Sequence, residues 1–270
     1  MKIKKSIVTK NPCYTSGRTI KVKGIMLHSV GCPQPKASVF FNTWNKATAK
    51  VCVHAVLQDD GTVLQILPWN SRGWHCGSGS KGSGNNTHIG VEMTEPNTIK
   101  YISGNSYKDL NPTATKDFVL KTYQTAVELF AHLCELHNLD PLKDGVIISH
   151  AEGYKRGIAS NHGDVEHIWN KQGLTMEQFR KDVKKTMSKT AATEKPKENT
   201  KEQIASEYKV KITANKLNVR KGAGTSYGIA TQIKKGEVYT IVEEVKNGDT
   251  IWGKLKSGAG YISLAYTQKI

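Results

Sequence analysis

Between Met187 and Glu207 the chain reads SKTAATEKPKENTKEQIAS, a run of mixed charges with Pro196 in it and hardly an aliphatic side chain. A segment of that kind cannot bury enough apolar surface to offset the entropy lost on ordering it, so residues 188–206 read as a flexible linker. The 270 residues are thereby divided into a domain at 1–187 and a smaller one at 207–270. Both lengths suit independent domains.

Before the linker, strand-like and helix-like stretches alternate. GIMLHSV (24–30), VCVHAVLQ (51–58), TVLQILP (62–68), HIGVEM (88–93) and GVIISH (145–150) are short and rich in β-branched residues, and Asp60-Gly61 marks a hairpin turn. From Thr115 to Asn138, Val119, Tyr123, Val127, Phe130 and Cys134 recur on one helical face. A second helix opens at Thr175, with Gln178 completing a capping box and Leu174 and Phe179 forming a hydrophobic staple. A short one covers Ala37 to Asn45. This pattern predicts an α/β domain, a mixed β-sheet flanked by helices. After the linker, short alternating runs are punctuated by Lys221-Gly222, Lys235-Gly236, Asn247-Gly248 and Ser257-Gly258, the pattern of a small all-β barrel without helices.

Charge narrows the partners. Lys and Arg total 39 against 23 acidic residues, a net +16. The excess is spread along the chain, with 24 basic and 15 acidic residues in 1–187 and 11 and 5 in 207–270. A polyanion is the matching partner, whether nucleic acid, anionic lipid or an anionic cell wall. No nucleic-acid motif interleaves these cations with aromatic residues, so no nucleic-acid function is expected. The opening MKIKKSIVTKNP lacks the apolar core of a signal peptide, and no run of 18 apolar residues occurs, so the expected protein is made soluble in a cytosol without stable membrane insertion. Five cysteines without C-x-x-C spacing argue against a disulfide framework and a cysteine-rich zinc knuckle.

The densest chemistry lies in SHAEGYKRGIASNHGD, residues 149–164. His150 ends the last strand-like run, and Gly153, Gly157 and Gly163 ease a turn that brings Asp164 back toward it. His28 ends the first strand, with Ile25 and Leu27 on the opposite, core-facing side. On the fourth strand His88, Gly90 and Glu92 share a face. Two imidazoles and a carboxylate with one open position make a catalytic zinc arrangement, which His28, His150 and Asp164 can supply.

Taken in order, GIMLHSV, VHAVLQDDGTVLQILPWNSRGWHCG, NTHIGVEM and SHAEGYKRGIASNHGD resemble the zinc-dependent N-acetylmuramoyl-L-alanine amidases of the family that includes peptidoglycan recognition proteins. The resemblance runs over roughly residues 20–185. It implies Zn2+ held by His28, His150 and Asp164, Glu92 as the catalytic proton carrier, and cleavage of the bond joining N-acetylmuramic acid to the L-alanine of the stem peptide. Where the family commonly carries a Lys two residues before the last ligand, His162 stands here, implying a role at the oxyanion or in positioning the carbonyl. Trp74 and His75 are expected to line the groove, His54 to be structural or cleft-lining, and Tyr154 to contact substrate. His132, His137 and His167 have no partner visible in sequence.

The last domain resembles a bacterial SH3-type wall-binding module through LNVRKGAGTSYG, IKKGE, Trp252 and GAGYI, with Tyr261 where that family usually has Trp. The combination resembles a phage endolysin or an autolysin acting on peptidoglycan of a Gram-positive wall. Without a signal peptide, release through a holin is the expectation. The alternatives are a wall cysteine peptidase using Cys52 or Cys76, and a non-catalytic peptidoglycan-binding protein.

Overall fold

Six short strands of the first 190 residues join in one sheet: β1 (Lys2–Lys5), β2 (Gly24–Ser29), β3 (Ala55–Leu57), β4 (Thr62–Gln65), β5 (His88–Met93) and, after an outlying hairpin of β6 (Ile99–Ser103) and β7 (Ser106–Asp109), β8 (Ile147–Ser149). The structure is a computed structural model describing residues 1–193, 201–202, 207–225, 227–247 and 250–270, in two units at 1–190 and 191–270. The strand order is β1-β4-β3-β5-β2-β8. β2 is parallel to β5 and β8, β5 to β3 and β1 to β4, whereas β3 and β4 run antiparallel. The mixed sheet agrees with the sequence expectation. β1 and the β6–β7 hairpin are strands that the hydrophobic runs did not reveal.

β2 is buried along its whole length, as a central strand covered on both faces must be. Ile25 and Leu27 enter the main core with Val127, Phe130, Trp169 and Phe179, while Met26 packs on the other face with Cys76, Ile148 and Ala159. Besides short α1 (Pro12–Thr15) and α2 (Ala37–Trp44), the helices are α3 (Pro112–His137), α4 (His150–Lys155), α5 (Glu166–Trp169) and α6 (Met176–Thr193). α3 starts where the Asn111 side chain accepts the Ala114 N–H and stops at Asn138, whose φ of 53° is left-handed. At α6, the Thr175 hydroxyl accepts the Gln178 N–H at 3.1 Å, but the Gln178 side chain turns to Asp182 at 3.0 Å and leaves the expected capping box half made.

The expected strand at 51–58 is shorter because the chain leaves the ladder at His54, where Cys52 instead bridges Trp74. α6 runs to Thr193, six residues into the segment read as linker, since Ala191 and Ala192 are strong helix formers and no Gly or Pro precedes Pro196. The remainder of that segment lies outside the described residues, apart from strand β9 (Lys201–Glu202).

In the second unit β9 is followed by β10 (Tyr208–Ile212), β11 (Lys216–Arg220), β12 (Ile229–Lys234), β13 (Val238–Asn247), β14 (Thr250–Leu255), β15 (Tyr261–Ser263) and β16 (Thr267–Lys269). The ladder follows β12-β11-β15-β14-β13-β10-β16, with β9 on β13. The unit is all-β as expected, and among the described residues no ladder joins its end strands β12 and β16. A 3₁₀ turn at Leu264–Tyr266 also interrupts the expected all-strand pattern. Gly236 and Gly258 take φ of 90° and 77° at two expected turns, and Gly248 of the Asn247-Gly248 turn lies outside the described residues. Val210, Leu217, Val219, Ile241, Leu255 and Ile262 fill the interior. No described helix is long and apolar enough to cross a membrane.

Candidate active site

Three elements deliver three ligand-type atoms to one point. His28 sits near the C-terminal end of β2, beside Glu92 in the parallel ladder. His150, expected as the end of a strand, is instead the first residue of α4. Ser149 accepts the Glu152 N–H at 3.0 Å and Glu152 accepts the Ser149 N–H at 3.1 Å, a complete capping box that starts the helix there. Arg180 of α6 grips both Glu152 oxygens at 2.9 and 3.0 Å and fixes the helix start. Asp164 returns from the following loop.

His28 Nδ1 lies 3.0 Å from His150 Nδ1 and 3.1 Å from Asp164 Oδ2, and His150 Nδ1 lies 3.5 Å from that same oxygen. A tetrahedral metal with ligand bonds of about 2.0–2.1 Å separates its ligand atoms by about 3.4 Å, so the triangle has the right edge. The set His28, His150 and Asp164 also has the right donor chemistry for a divalent ion.

Neighbouring groups point the lone pairs inward. His75 Nε2–H donates to the His88 carbonyl at 3.2 Å, which leaves His75 Nδ1 to accept from His28 Nε2–H at 2.9 Å. His28 Nδ1 is therefore the bare nitrogen. On the other side, Ser160 donates to the Cys76 carbonyl at 3.3 Å and can accept from His150 Nε2–H at 3.4 Å, which leaves His150 Nδ1 bare as well. Burial holds the His28 and His75 pKa values below the ordinary imidazole value, keeping both neutral. Gly90 makes room for this arrangement: a Cβ there would lie 2.4 Å from the His75 ring.

Glu92 faces the same cavity of about 470 Å³, lined also by His28, His150, His162 and Asp164. Its Oε2 is buried with no hydrogen-bond partner. Burial, and then the charges of Asp164 and Glu95, push its pKa well above the usual carboxylate value. His162 stacks on His150 with ring centroids 4.6 Å apart and stands 3.9 Å from Asp164 Oδ1, its side chain 61% exposed.

The sequence reading missed a second constellation on this cavity. Tyr101 donates its hydroxyl to Glu95 Oε2 at 2.8 Å, His167 Nε2 meets that hydroxyl oxygen at 2.6 Å, and Glu95 Oε1 accepts the Gly31 N–H at 3.0 Å. This chain ties β6, the loop after β2 and α5 together around the site. At the hairpin tip, Asn105 lies against Gly163, where a Cβ would be 1.9 Å from its amide nitrogen. The one sequence signal was the Gly104-Asn105 turn between alternating runs.

Other expected residues fall elsewhere. His54 is fully buried, donating from Nε2 to the Ser71 carbonyl at 2.8 Å and accepting the Gly90 N–H on Nδ1 at 3.0 Å, bonds that fit the structural one of its two expected roles rather than contact with a substrate. His75 borders the cavity but is spent on His28. Trp74 and Tyr154 are exposed at 44% and 48% and are not among the residues lining the cavity; Tyr154 borders a separate depression near Gly79 and Arg156. Cys52 and Cys76 are buried, with the Cys52 thiol pushed up by its hydrogen bond with Cys13 and by burial, and Cys76 by burial. Neither has thiolate character, so the structure gives no support to a cysteine nucleophile.

A buried, prearranged pair of imidazoles and a carboxylate beside a glutamate with an unpaired Oε2 has the donor set of a candidate metal site of hydrolytic type. Residues 18–167 match the N-acetylmuramoyl-L-alanine amidase family, and the chain belongs to that family. Residues 215–268 match the bacterial SH3 domain. Similar proteins include the N-acetylmuramoyl-L-alanine amidase CwlA of a Bacillus species, 35% identical over 80 residues that cover 24% of this chain and 32% of CwlA. The chain spans a third or less of the length of the curated relatives it matches. Among solved structures, the hydrolase AmiA of Staphylococcus aureus with its ligand aligns at TM-score 0.52 and 16% identity, covering 71% of this chain and 86% of AmiA. A mutant of PlyL aligns at TM-score 0.50 and 22% identity, covering 68% and 99%. These likenesses establish the fold.

Proposed function

We propose that the chain is a zinc-dependent peptidoglycan amidase that hydrolyses the bond between N-acetylmuramic acid and the L-alanine of the stem peptide, in the manner of an endolysin acting on a Gram-positive wall. The observation that carries this reading is the inward convergence of His28 Nδ1, His150 Nδ1 and Asp164 Oδ2 beside the unpartnered Glu92 Oε2. Zinc held by His28, His150 and Asp164 would supply Lewis acidity and acidify bound water. Glu92 takes the proton of the attacking water on Oε2 and returns it to the departing L-alanine nitrogen, a task suited to a carboxylate of raised pKa. His162, exposed at the rim, donates to the oxygen on which charge develops. His75 and Ser160 hold the two imidazoles in the tautomer that leaves Nδ1 free. Residues 207–270 serve to hold the enzyme on the wall.

Mass spectrometry of digested wall tests the reaction directly. New L-alanine amino termini are expected, abolished by a chelator and unaffected by thiol alkylation. New reducing sugar ends, or activity that survives chelation and is lost on alkylation, would overturn it.

A further inference from the structure

We propose that the outer face of β11, with the groove beside it, binds a phosphodiester-linked anionic polyol of the cell wall. This rests on the reading of residues 207–270 as a wall-binding unit. The burial of β11 alternates: Leu217 and Val219 enter the core, and Lys216, Asn218 and Arg220 face outward. These three border a groove of about 470 Å³ whose other side includes Trp252, Thr250 and Tyr266. Four residues of strand place the Lys216 and Arg220 Cα atoms about 13 Å apart, a spacing for successive charges of an extended ligand rather than for one small anion.

Among the described residues, the charge of this row is not balanced from within. Lys216 stands directly across the ladder from Lys234, and like charges facing each other in that position are destabilising unless an anion lies between them. Glu207, Glu237, Glu243 and Glu244 are engaged with other groups. Glu207 pairs with Lys256 at 2.6 Å, Glu243 with Lys254 at 3.3 Å, and Glu244 accepts from Tyr208. Glu237 follows Lys234 in the turn and accepts that residue's backbone N–H at 2.8 Å and the Tyr239 hydroxyl at 3.0 Å. Among the described residues no acidic side chain lines the groove. Arg220 is held in place by one donor on the Tyr227 carbonyl at 2.7 Å, so its other N–H groups need little reorganisation to meet a phosphate.

The aromatic groups favour a polyol over stacked bases. Trp252 is only 5% exposed and contributes an edge of the groove rather than a platform. Tyr266 is open to solvent, but successive bases of a nucleic acid would need further exposed rings.

The test uses the full chain carrying Glu92→Gln, so that the wall is not digested, and measures cosedimentation with purified Gram-positive wall over a range of NaCl. A second sample of the same wall is stripped of phosphodiester polymers by hydrofluoric acid. Adding Lys216→Gln with Arg220→Gln should weaken binding to untreated wall about tenfold and flatten the log affinity against log salt slope by about 1.4 to 1.8, as expected for two lost phosphate contacts. The thermal midpoint should not fall, and Lys216→Gln alone should show part of the loss. The difference should vanish on stripped wall. Lys209→Gln with Lys211→Gln, the same charge change on β10, should stay within twofold of the parent.

Equal binding of parent and groove variant to untreated wall would overturn the proposal. So would a full defect that persists on stripped wall, which would make peptide or glycan carboxylates the occupant, or an equal loss in the β10 control. A parent that binds neither wall would bring down the wall-targeting reading itself.

Discussion

Five histidines and Glu95 are among the buried polar residues of the first unit, whereas Ser263 is the buried polar residue among those described in the second. Burying so many titratable groups is costly unless each is bonded, and the first unit bonds most of them in chains: His88 carbonyl to His75 to His28, and His167 to Tyr101 to Glu95. Those chains fix which nitrogen carries the proton. The second unit keeps its polar side chains outside and fills its interior with aliphatic groups. Directed lone pairs need a dry, prearranged setting; attraction to a long polyanion needs only exposed cations in a suitable row.

The largest effect separating the two units is expected from Glu92→Gln, which keeps the side chain's shape and removes its capacity to accept a proton. Turnover of a soluble muropeptide should fall about 10² to 10⁴-fold with metal content retained, and wall binding should not change. Normal turnover at full metal occupancy would assign the proton to another group. His162→Ala should share the retained metal and show a smaller fall in kcat.

Next in size is His75→Ala. Losing the acceptor that orients His28 should weaken metal binding about 10- to 100-fold, read from competition with a chromogenic chelator. An unchanged affinity would show that His28 is oriented without it.

Acid should then distinguish the units. Burial lowers the His54 pKa to about 4, so between pH 6.5 and 4 the unfolded chain binds a proton that the folded chain does not. Stability from this residue is present above pH 6.5 and is lost as pH falls toward 4. Moving metal-free protein from pH 7 to pH 5 should cost the first unit about 2 kcal/mol from His54, measured by urea unfolding. Residues 207–270 contain no histidine, and a matching loss there would break the comparison.

The smallest effect is expected at the surface of the second unit. Lys256→Ala removes an exposed ion pair with Glu207 and should change stability by less than about 1 kcal/mol. A loss several times larger in thermal or urea unfolding would mean that this unit also depends on fixed polar contacts.

The three convergent residues were legible because each lies in a sequence block with its own local logic: a buried strand ending in His28, and a glycine-broken loop joining His150 to Asp164. The start of α4 was also written in sequence, as Ser149 and Glu152, yet the strand-like run GVIISH concealed it. The Tyr101 chain was not legible. Its members are 6 and 66 residues apart along the chain, and only the fold brings them together. His75 and His54 show the same limit from the other side, since histidines in one stretch of groove-like sequence differ in role only through what the opposite strand offers them. In the second unit alternation gave the strands, while their order in the sheet depends on pairing between residues distant along the chain.

The β6–β7 hairpin divides abruptly between anchored and free positions. Ile99 and Tyr107 are buried in the main core and Tyr101 is bonded at its hydroxyl, but Ile102 is 71% exposed and Ser103, Gly104 and Asn105 are exposed with it. Heritable variation at Ile102, Ser103 and Asn105 therefore meets little selection from folding, whereas Gly104 takes a φ of 50° that favours glycine, and change at Asn105 acts directly on the rim of the cavity. Such a rim can diversify quickly over an unchanging floor, and directed libraries confined to residues 102, 103 and 105 can retune selectivity without reopening the question of stability.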